Sequence, residues 1–150
     1  MTPVYYKEQK RKNPLELNYN LHGHNLEHVS SAKYLGVTIT SDLKWSAHIQ
    51  NICQKANRTI GFLLKKLNIV NSDIKEKAYT ALVRPTVEYA SSAWDPHLLK
   101  DMHKLEMIQR RSARYVTNRY HNTSSVEIML QKLQWPTLEE RRKKARLTLI

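Results

Sequence analysis

Lys33-Tyr34-Leu35-Gly36-Val37-Thr38-Ile39 is the stretch around which the rest of the chain is organised. Its apolar, aromatic and β-branched residues predict a mostly buried β-strand. Gly36 stands inside this strand, where a residue without a side chain weakens the packing and often marks a bulge or a close approach of a ligand or another backbone. Two interpretations of Gly36 therefore stay open, a bulge and a contact site.

The residues before this strand predict a small antiparallel β element. Residues 15–19 alternate apolar and polar side chains, as in a half-buried strand. Turn signals around Gly23 follow, and Leu26 and Val29 indicate another short strand. Two or three short strands are not stable alone in water, so helices or further strands have to pack on them. No carboxylate or thiolate is clustered with the nearby histidines, so turn positions are favoured over a metal site for His22, His24 and His28.

The residues after Thr40 predict a bundle of four to five helices, because apolar residues recur at three- and four-residue steps. Pro85 lies inside the second helix and is expected to kink or split it. Thr137 with Glu140 predicts a capping box at the start of the last helix. The predicted helices span about 46–67, 73–92, 97–119, part of 120–136, and 137 onward. The sequence therefore predicts an α+β chain that is mostly α, with a small N-terminal β element.

The charge of the chain favours a polyanionic partner. Twenty-five Lys and Arg against 13 Asp and Glu give a net charge of +12. Nucleic acid is the first expectation, and an anionic membrane surface is the second. No run approaches the ~18 apolar residues of a membrane span, and the N-terminus has no apolar signal segment. We therefore expect a soluble intracellular protein without a membrane partner. The single Cys53 excludes an internal disulfide and lies on an apolar helix stripe.

Basic residues gather on one face of the third predicted helix. At 100° per residue, four of them fall within about 80° of each other and nearly opposite the apolar residues. These four are Lys100, Lys104, Arg111 and Arg114, and Arg110 adds to the local charge. Like charges on one face destabilise a helix slightly, and a phosphate backbone lying along that face would relieve the repulsion. A solvated basic face is the alternative interpretation.

The sequence offers no catalytic constellation. The four aspartates stand in separate turns or caps, where a structural role is the ordinary one: Asp42, Asp73, Asp95 and Asp101. Three scattered glycines cannot form a phosphate-binding loop, and no Ser-His-Asp set follows from the order of residues. We therefore predict no catalytic residue and no cofactor within these residues.

An ordered series of short motifs resembles the reverse transcriptases of non-LTR (LINE-type) retrotransposons, in the jockey and chicken-repeat-like groups. The series covers about 15–146, and its order makes it specific although each motif is short. It includes Lys33-Tyr34-Leu35-Gly36-Val37, Leu43-Lys44-Trp45, Leu82-Val83-Arg84-Pro85, Glu88-Tyr89-Ala90-Ser91, Trp94-Asp95-Pro96, Gln109-Arg110-Arg111-Ser112-Ala113-Arg114 and Leu133-Gln134-Trp135-Pro136.

The resemblance implies part of an RNA-directed DNA polymerase. The family's catalytic aspartates, with the Mg²⁺ of the full-length enzyme, are expected upstream, so this fragment should not polymerise alone. Tyr34, Leu35 and Gly36 resemble a primer-grip segment. Residues 1–14 are then a flexible basic arm, 15–40 a palm-edge β element, and 41–150 a helical domain that resembles a polymerase thumb or connection. Both ends look abrupt, which agrees with a fragment.

The resemblance also implies the partners. The fragment would hold an RNA–DNA or other template–primer duplex next to the missing palm and fingers, in the nucleus or cytoplasm. Phosphate contacts position a duplex without reading its sequence. The residues expected to make them are Lys100, Lys104, Arg110, Arg111 and Arg114. Two alternatives stay open: a stand-alone or domesticated helical nucleic-acid-binding or interaction module, and a retroelement remnant without function.

Overall fold

The computed structural model describes residues 19–148 except 26, 28 and 122–124. Its β part consists of two separate antiparallel hairpins rather than one sheet. The strands are β1 (Asn20–Leu21), β2 (His24–Asn25), β3 (Ser31–Tyr34) and β4 (Val37–Thr40). The turn predicted around Gly23 is confirmed, because it joins β1 to β2. The predicted arm over 1–14 and nearly all of the predicted strand over 15–19 lie outside the described residues.

The single strand predicted over 33–39 is wrong, because the chain reverses in its middle. Tyr34 pairs with Val37, and the two residues between them form a tight turn. Leu35 and Gly36 both have positive φ, 45° and 86°, which two-residue hairpin turns use to match the twist of their strands. A bulky leucine is rare at such a φ, so the sequence carries no turn signal apart from the glycine. The predicted burial is also wrong for Tyr34 and Leu35, which are 67% and 73% exposed.

The helical part confirms the α+β prediction. Its helices are α1 (Ser46–Lys66), α2 (Ser72–Ala78), α3 (Arg84–Glu88), α4 (Leu99–Thr117), α5 (Val126–Lys132) and α6 (Leu138–Leu147). A π-helical turn, Tyr79–Val83, joins α2 directly to α3. If these three segments are counted as one interrupted helix, the described residues contain five helices.

The π turn changes which residues of the second predicted helix are buried. Pro85 lies in the first turn of α3, as expected for a proline that splits a helix. The wider turn rotates the following residues by about 100°, because it holds one more residue than an α turn. Val83 and Val87 are therefore buried. Lys75 and Tyr79 are buried as well and the predicted apolar position Ile74 is exposed, so the buried face already differs from the prediction before the turn. The predicted apolar positions Leu82 and Tyr89 are exposed.

A buried lysine ties three helix ends together. Lys75 is 1% exposed, and its ammonium group donates to the Asn68 carbonyl oxygen at 3.1 Å and to Asn118 Oδ1 at 2.6 Å. Asn68 follows the end of α1, and Asn118 ends α4 in the left-handed conformation. A buried ammonium is tolerated only with such acceptors. Lys75 thus joins the start of α2 to the C-terminal ends of α1 and α4.

The core lies between α1, α4 and the segment from α2 to α3. Trp94 is buried and donates its indole N–H to the Tyr89 carbonyl oxygen at 2.9 Å. Tyr79 stacks on Trp135 with ring centroids 4.2 Å apart. The largest buried apolar side chains are Trp94, Tyr79, Tyr115, Ile49, Ile60, Leu63, Leu105 and Leu138. Side chains from most helices therefore share one apolar cluster.

The last helix is attached to α4 through its N-terminus. The capping box predicted at Thr137 is confirmed, since Thr137 and Glu140 exchange both hydrogen bonds. Glu106 of α4 accepts further hydrogen bonds from the backbone N–H groups of Leu138 and Glu139, at 3.3 and 3.0 Å. A carboxylate is favourable at this position because helix N-termini carry partial positive charge.

The hairpin β3–β4 is held on the helices by three side chains, one of which is Asn51 of α1, whose amide donates to Thr38 Oγ1 at 3.4 Å. Tyr89 Oη donates to the Leu35 carbonyl oxygen at 3.1 Å, and His48 Nδ1 of α1 accepts from the Thr38 backbone N–H at 3.2 Å. An added Cβ at Gly36 would lie 3.2 Å from Tyr89 Cε1. Glycine is therefore required at position 36 for two reasons: its φ is positive, and a larger residue would press against the ring of Tyr89.

We predict that Gly36→Ala lowers the free energy of unfolding, measured by urea denaturation. An L-residue with this φ costs roughly 1–2 kcal/mol, to which the contact with Tyr89 adds. Gly61→Ala is the matched control, because Gly61 lies within α1 with nothing within 4 Å of its added Cβ. Alanine there should raise stability by up to ~1 kcal/mol. Equal effects of the two substitutions would contradict this account of the hairpin turn.

We also predict that the free energy of unfolding falls at acid pH because of His48. Burial lowers the pKa of His48 below its ordinary value of 6.5, so the folded chain keeps the ring neutral. The unfolded chain takes up a proton below that pH, and the free energy of unfolding should fall by at most ~1.4 kcal/mol per pH unit. The stabilisation is complete above about pH 6.5 and is lost as the pH falls from there toward the lowered pKa.

His48→Asn is the matched variant for this measurement, because Asn Oδ1 is bonded to Cγ like Nδ1, can still accept from the Thr38 backbone N–H and does not titrate. Urea denaturation between about pH 7 and pH 5 should show a smaller loss of stability in the variant than in the parent chain. The same loss in both proteins would assign the acid sensitivity to other groups.

Candidate nucleic-acid interface

Helix α4 presents the predicted basic face to solvent. Its opposite face is buried, with Leu105, Ile108, Ser112 and Val116 in the core as predicted. Lys100, Lys104 and Arg111 are exposed, and Arg114 is half-buried. The amphipathic pattern of α4 therefore gave the correct orientation of the helix.

Three of the five predicted cations line one groove between α1 and α4, the α1–α4 groove. It has a volume of about 770 Å³, and Lys104, Arg111 and Arg114 line its α4 side. The two helices run in the same direction, since Ser46 contacts Asp101 near their starts and Asn57 contacts Arg111 further along. The α1 side carries three amides, Gln50, Gln54 and Asn57.

The floor of the groove is apolar and neutral. Cys53, Leu64 and Ile108 lie between the two rows of polar side chains. Burial raises the pKa of the Cys53 thiol to about 11, although Lys104 opposes the shift. The thiol therefore stays protonated and behaves as a small apolar side chain.

The predicted cations differ in how far carboxylates already neutralise them. Lys104 lies 3.4 Å from Asp101, and Arg110 lies 2.8 Å from Glu127 of α5. Arg111 donates to the neutral Asn57 Oδ1 at 2.8 Å. Among the described residues, no carboxylate lies within 4 Å of Lys100, Arg111 or Arg114. Among the cations that line the groove, Arg111 and Arg114 are therefore the two whose charge no described carboxylate neutralises.

Two acidic side chains near α4, Asp101 and Glu127, make contacts that hold helices together and do not line the groove. Asp101 is 2% exposed and accepts from Ser46 Oγ at 2.5 Å, which fixes the start of α4 on α1. Hydrogen bonds from its own backbone N–H, from the Ser125 hydroxyl and from Arg110 lower the pKa of Glu127 to about 2. Glu127 therefore draws Arg110 toward α5, and Arg110 does not line the groove.

One end of the groove holds an aromatic side chain that the sequence analysis did not select. Tyr120 follows α4, lines the groove and is 54% exposed. Burial raises the pKa of its phenol while Arg111 lowers it, so the phenol stays neutral near a guanidinium group. The amides on α1 were also missed, although their spacing of four and three residues places Gln50, Gln54 and Asn57 on one helix face.

The primer-grip-like residues lie on the other side of α1. The hairpin tip adjoins a second groove of about 560 Å³, lined by Gly36, His48, Asn51, Lys55 and Tyr89, among others. These α1 residues project from the face opposite to Gln50, Gln54 and Asn57. The structure therefore does not bring Tyr34, Leu35 and Gly36 together with the cations of α4.

No group of three or more His, Cys, Asp and Glu in the described part of the chain is arranged to hold a metal ion. His28, one of the three histidines considered above, lies outside that part. Among the described helices, none combines the length and apolar character needed to cross a membrane.

Comparison with known proteins gives three relatives, all from Drosophila melanogaster. The chain is 24% identical over 112 residues to "Probable RNA-directed DNA polymerase from transposon BS" and 26% identical over 114 residues to RNA-directed DNA polymerase from mobile element jockey. It is 28% identical over 75 residues to a 115 kDa protein in type-1 retrotransposable element R1DM. No family model matches the chain, and no solved structure matches it.

These matches cover 73%, 72% and 48% of this chain, respectively. They cover only 12%, 12% and 7% of the relatives, so the chain spans about a tenth of their length. Two of the three relatives are named as RNA-directed DNA polymerases. The resemblance of this chain to the reverse transcriptases of non-LTR retrotransposons is thereby confirmed.

Proposed function

We propose that this chain is a piece of a retrotransposon reverse transcriptase that holds template–primer nucleic acid through its phosphate backbone and contributes no catalytic residue. The observation that carries the proposal is the α1–α4 groove, where Lys104, Arg111 and Arg114 converge beside a neutral floor. Similarity to two RNA-directed DNA polymerases supports the same kind of partner.

Arg111 and Arg114 are suited to phosphate rather than to a specific base. A guanidinium group has five N–H donors, and Arg111 uses one of them on Asn57. The remaining donors can bind phosphate oxygens in pairs. A polymerase has to hold a nucleic acid that moves through it, so sequence-independent contacts fit the task.

The hairpin tip is the second part of the proposal. Tyr34 and Leu35 are exposed apolar side chains, and Leu35 has a φ of 45° that a bulky residue rarely adopts. The exposed Leu43 has a φ of 53° as well, so the support for a functional role comes from the place of Leu35 at the hairpin tip, within the primer-grip-like sequence. We propose that Tyr34, Leu35 and Gly36 position the primer, as their primer-grip-like sequence implies.

Chemistry is assigned to other parts of the polymerase. The resemblance implies Mg²⁺ for the full-length enzyme, but the described residues bring no suitable group of ligands together. No step of the proposal therefore passes through a metal ion. The contribution of this chain would be positioning, which lowers the entropic barrier to a reaction carried out by its neighbours, the palm and fingers.

A free-standing nucleic-acid-binding module is the second candidate function. The observation in its favour is the core, in which buried side chains from α1, α4 and α6 belong to one apolar cluster. The urea transition of the parent chain decides between the two candidate functions, a polymerase piece and a free-standing module. A cooperative transition supports an independent module, and a broad transition with aggregation supports a piece that needs its neighbours.

We predict that binding to an RNA–DNA hybrid with a single-stranded template overhang weakens steeply with salt. Arg111→Ala and Arg114→Ala should each reduce the slope of log affinity against log salt by ~0.7–0.9, the value of one phosphate contact. Lys104→Ala should reduce it less, because Asp101 already lies 3.4 Å from the ammonium group. Fluorescence anisotropy over a salt series measures all three slopes.

Lys132→Ala is the matched control for these variants. Lys132 is exposed in the last turn of α5 and does not line the groove, so its loss should leave the slope unchanged. Affinity that does not depend on salt, or an equal effect of Lys132→Ala, would refute the phosphate-contact proposal.

We predict opposite effects of Leu35→Asn on stability and on primer positioning. Asparagine adopts positive φ readily and should raise the free energy of unfolding by up to ~1 kcal/mol. It should also weaken binding of a hybrid with a recessed primer end, because the exposed apolar contact is lost. Urea denaturation and anisotropy measure the two effects, and Leu43→Asn is a control at another exposed leucine with positive φ. Unchanged binding by Leu35→Asn would exclude the tip from the primer site.

A further inference from the structure

We infer that the α1–α4 groove takes a single-stranded segment of the nucleic acid, with bases on its apolar floor and Tyr120 stacking on the last of them. The inference rests on the proposed function and specifies the ligand of that groove. It assigns the duplex to surfaces outside the groove.

The size of the groove is the first argument. Packed helices lie roughly 8–10 Å apart, and α1 and α4 pack against each other along the groove. A duplex is much wider, since its major groove alone measures about 12 Å. A duplex could therefore contact only the side chains at the rims of the α1–α4 groove. The groove volume of about 770 Å³ lies within the ~300–1,000 Å³ of ordinary ligand pockets, which is room for a few unpaired nucleotides and not for a duplex.

The distribution of polarity is the second argument. Cys53, Leu64 and Ile108 form a floor whose only donor is the weak S–H group of Cys53, so a phosphate placed there would lose hydration with little compensation. The flat faces of unpaired bases are the apolar surfaces of nucleic acid and suit that floor. Phosphates of the same strand would then reach Arg111 and Arg114 at the rim.

The amides on α1 are the third argument. Gln50 and Gln54 each present both a donor and an acceptor opposite the cations, and Asn57 keeps its side-chain N–H donors while its Oδ1 accepts from Arg111. Amide groups can bond the Watson–Crick edge of any unpaired base, whereas in a duplex that edge is already paired and only the groove edges stay open. One side of the groove is thus suited to bases and the other to phosphates.

Tyr120 is the fourth argument. It lies at the end of the groove beside Arg111, with half of its surface exposed, and its phenol is neutral. Proteins that bind single strands combine a basic groove with aromatic side chains on which bases stack. An acidic amphipathic peptide could also use the cations, but it would need a wider apolar surface than one bordered by three amides.

Fluorescence anisotropy of the full chain tests the inference. The probes are a single-stranded oligouridylate of about 8 nucleotides, within the ~4–16 nucleotides that such sites cover, and a blunt RNA–DNA hybrid of equal length. We expect the single strand to bind about tenfold more tightly. Tyr120→Ala should weaken its binding about tenfold, and Tyr120→Phe should retain it, because stacking needs the ring and not the hydroxyl.

Tyr19→Ala is the matched control, since Tyr19 is an exposed tyrosine just before β1, outside both the groove and the hairpin tip. It should leave single-strand binding unchanged, and urea transitions confirm that each variant is folded. Stronger binding of the blunt hybrid that still depends on Arg111 and Arg114 would overturn this inference and leave the proposed function standing. Failure to bind either probe would overturn both. Binding of an acidic peptide alone would point to a protein partner instead.

Discussion

The contact between α1 and α4 determines most of what this chain can do. Ser46 and the buried Asp101 fix the two helix starts, and Asn57 with Arg111 joins them further along. Because these contacts hold the helices side by side, apolar residues of both become the shared core and the floor of the groove. The same contact points the cations of α4 and the amides of α1 into one channel. A change in the angle between the helices would alter the core and the candidate site together.

The few carboxylates of the chain explain where the positive charge remains available. Glu88 pairs with Arg141, Asp95 with Arg146, and Glu106 binds the start of α6. These acidic groups attach the last helix to the rest of the fold. With 13 acidic residues against 25 basic ones, few are left to neutralise the groove. Arg111 and Arg114 of the groove are among the described cations that these carboxylates leave without an ion pair.

The sequence predicts helices and their faces well because those depend on local periodicity. The spans of α1 and α4, the capping box at Thr137 and the basic face of α4 all follow from residues within a few turns of each other. The hairpin turn was not predicted because leucine rarely adopts a positive φ, so Leu35 gives no turn signal in the sequence. The groove was missed because it requires the relative placement of two distant helices. Which cations are neutralised was equally inaccessible, since Glu127 reaches Arg110 only after α5 has packed on α4.

Lys75 has a consequence for how the groove meets a ligand. Its ammonium group holds the loop after α1 and Asn118, the residue that follows α4, within 3.1 Å of one nitrogen atom. Leu64 and Tyr120 lie close in sequence to those two anchored points, at the aromatic end of the groove. That end is therefore preorganised, and a ligand entering it gives up less conformational entropy than one that has to order two loose helix ends. Lys75 does not line the groove, yet it can in this way contribute to the affinity for a ligand by making one end of the groove rigid.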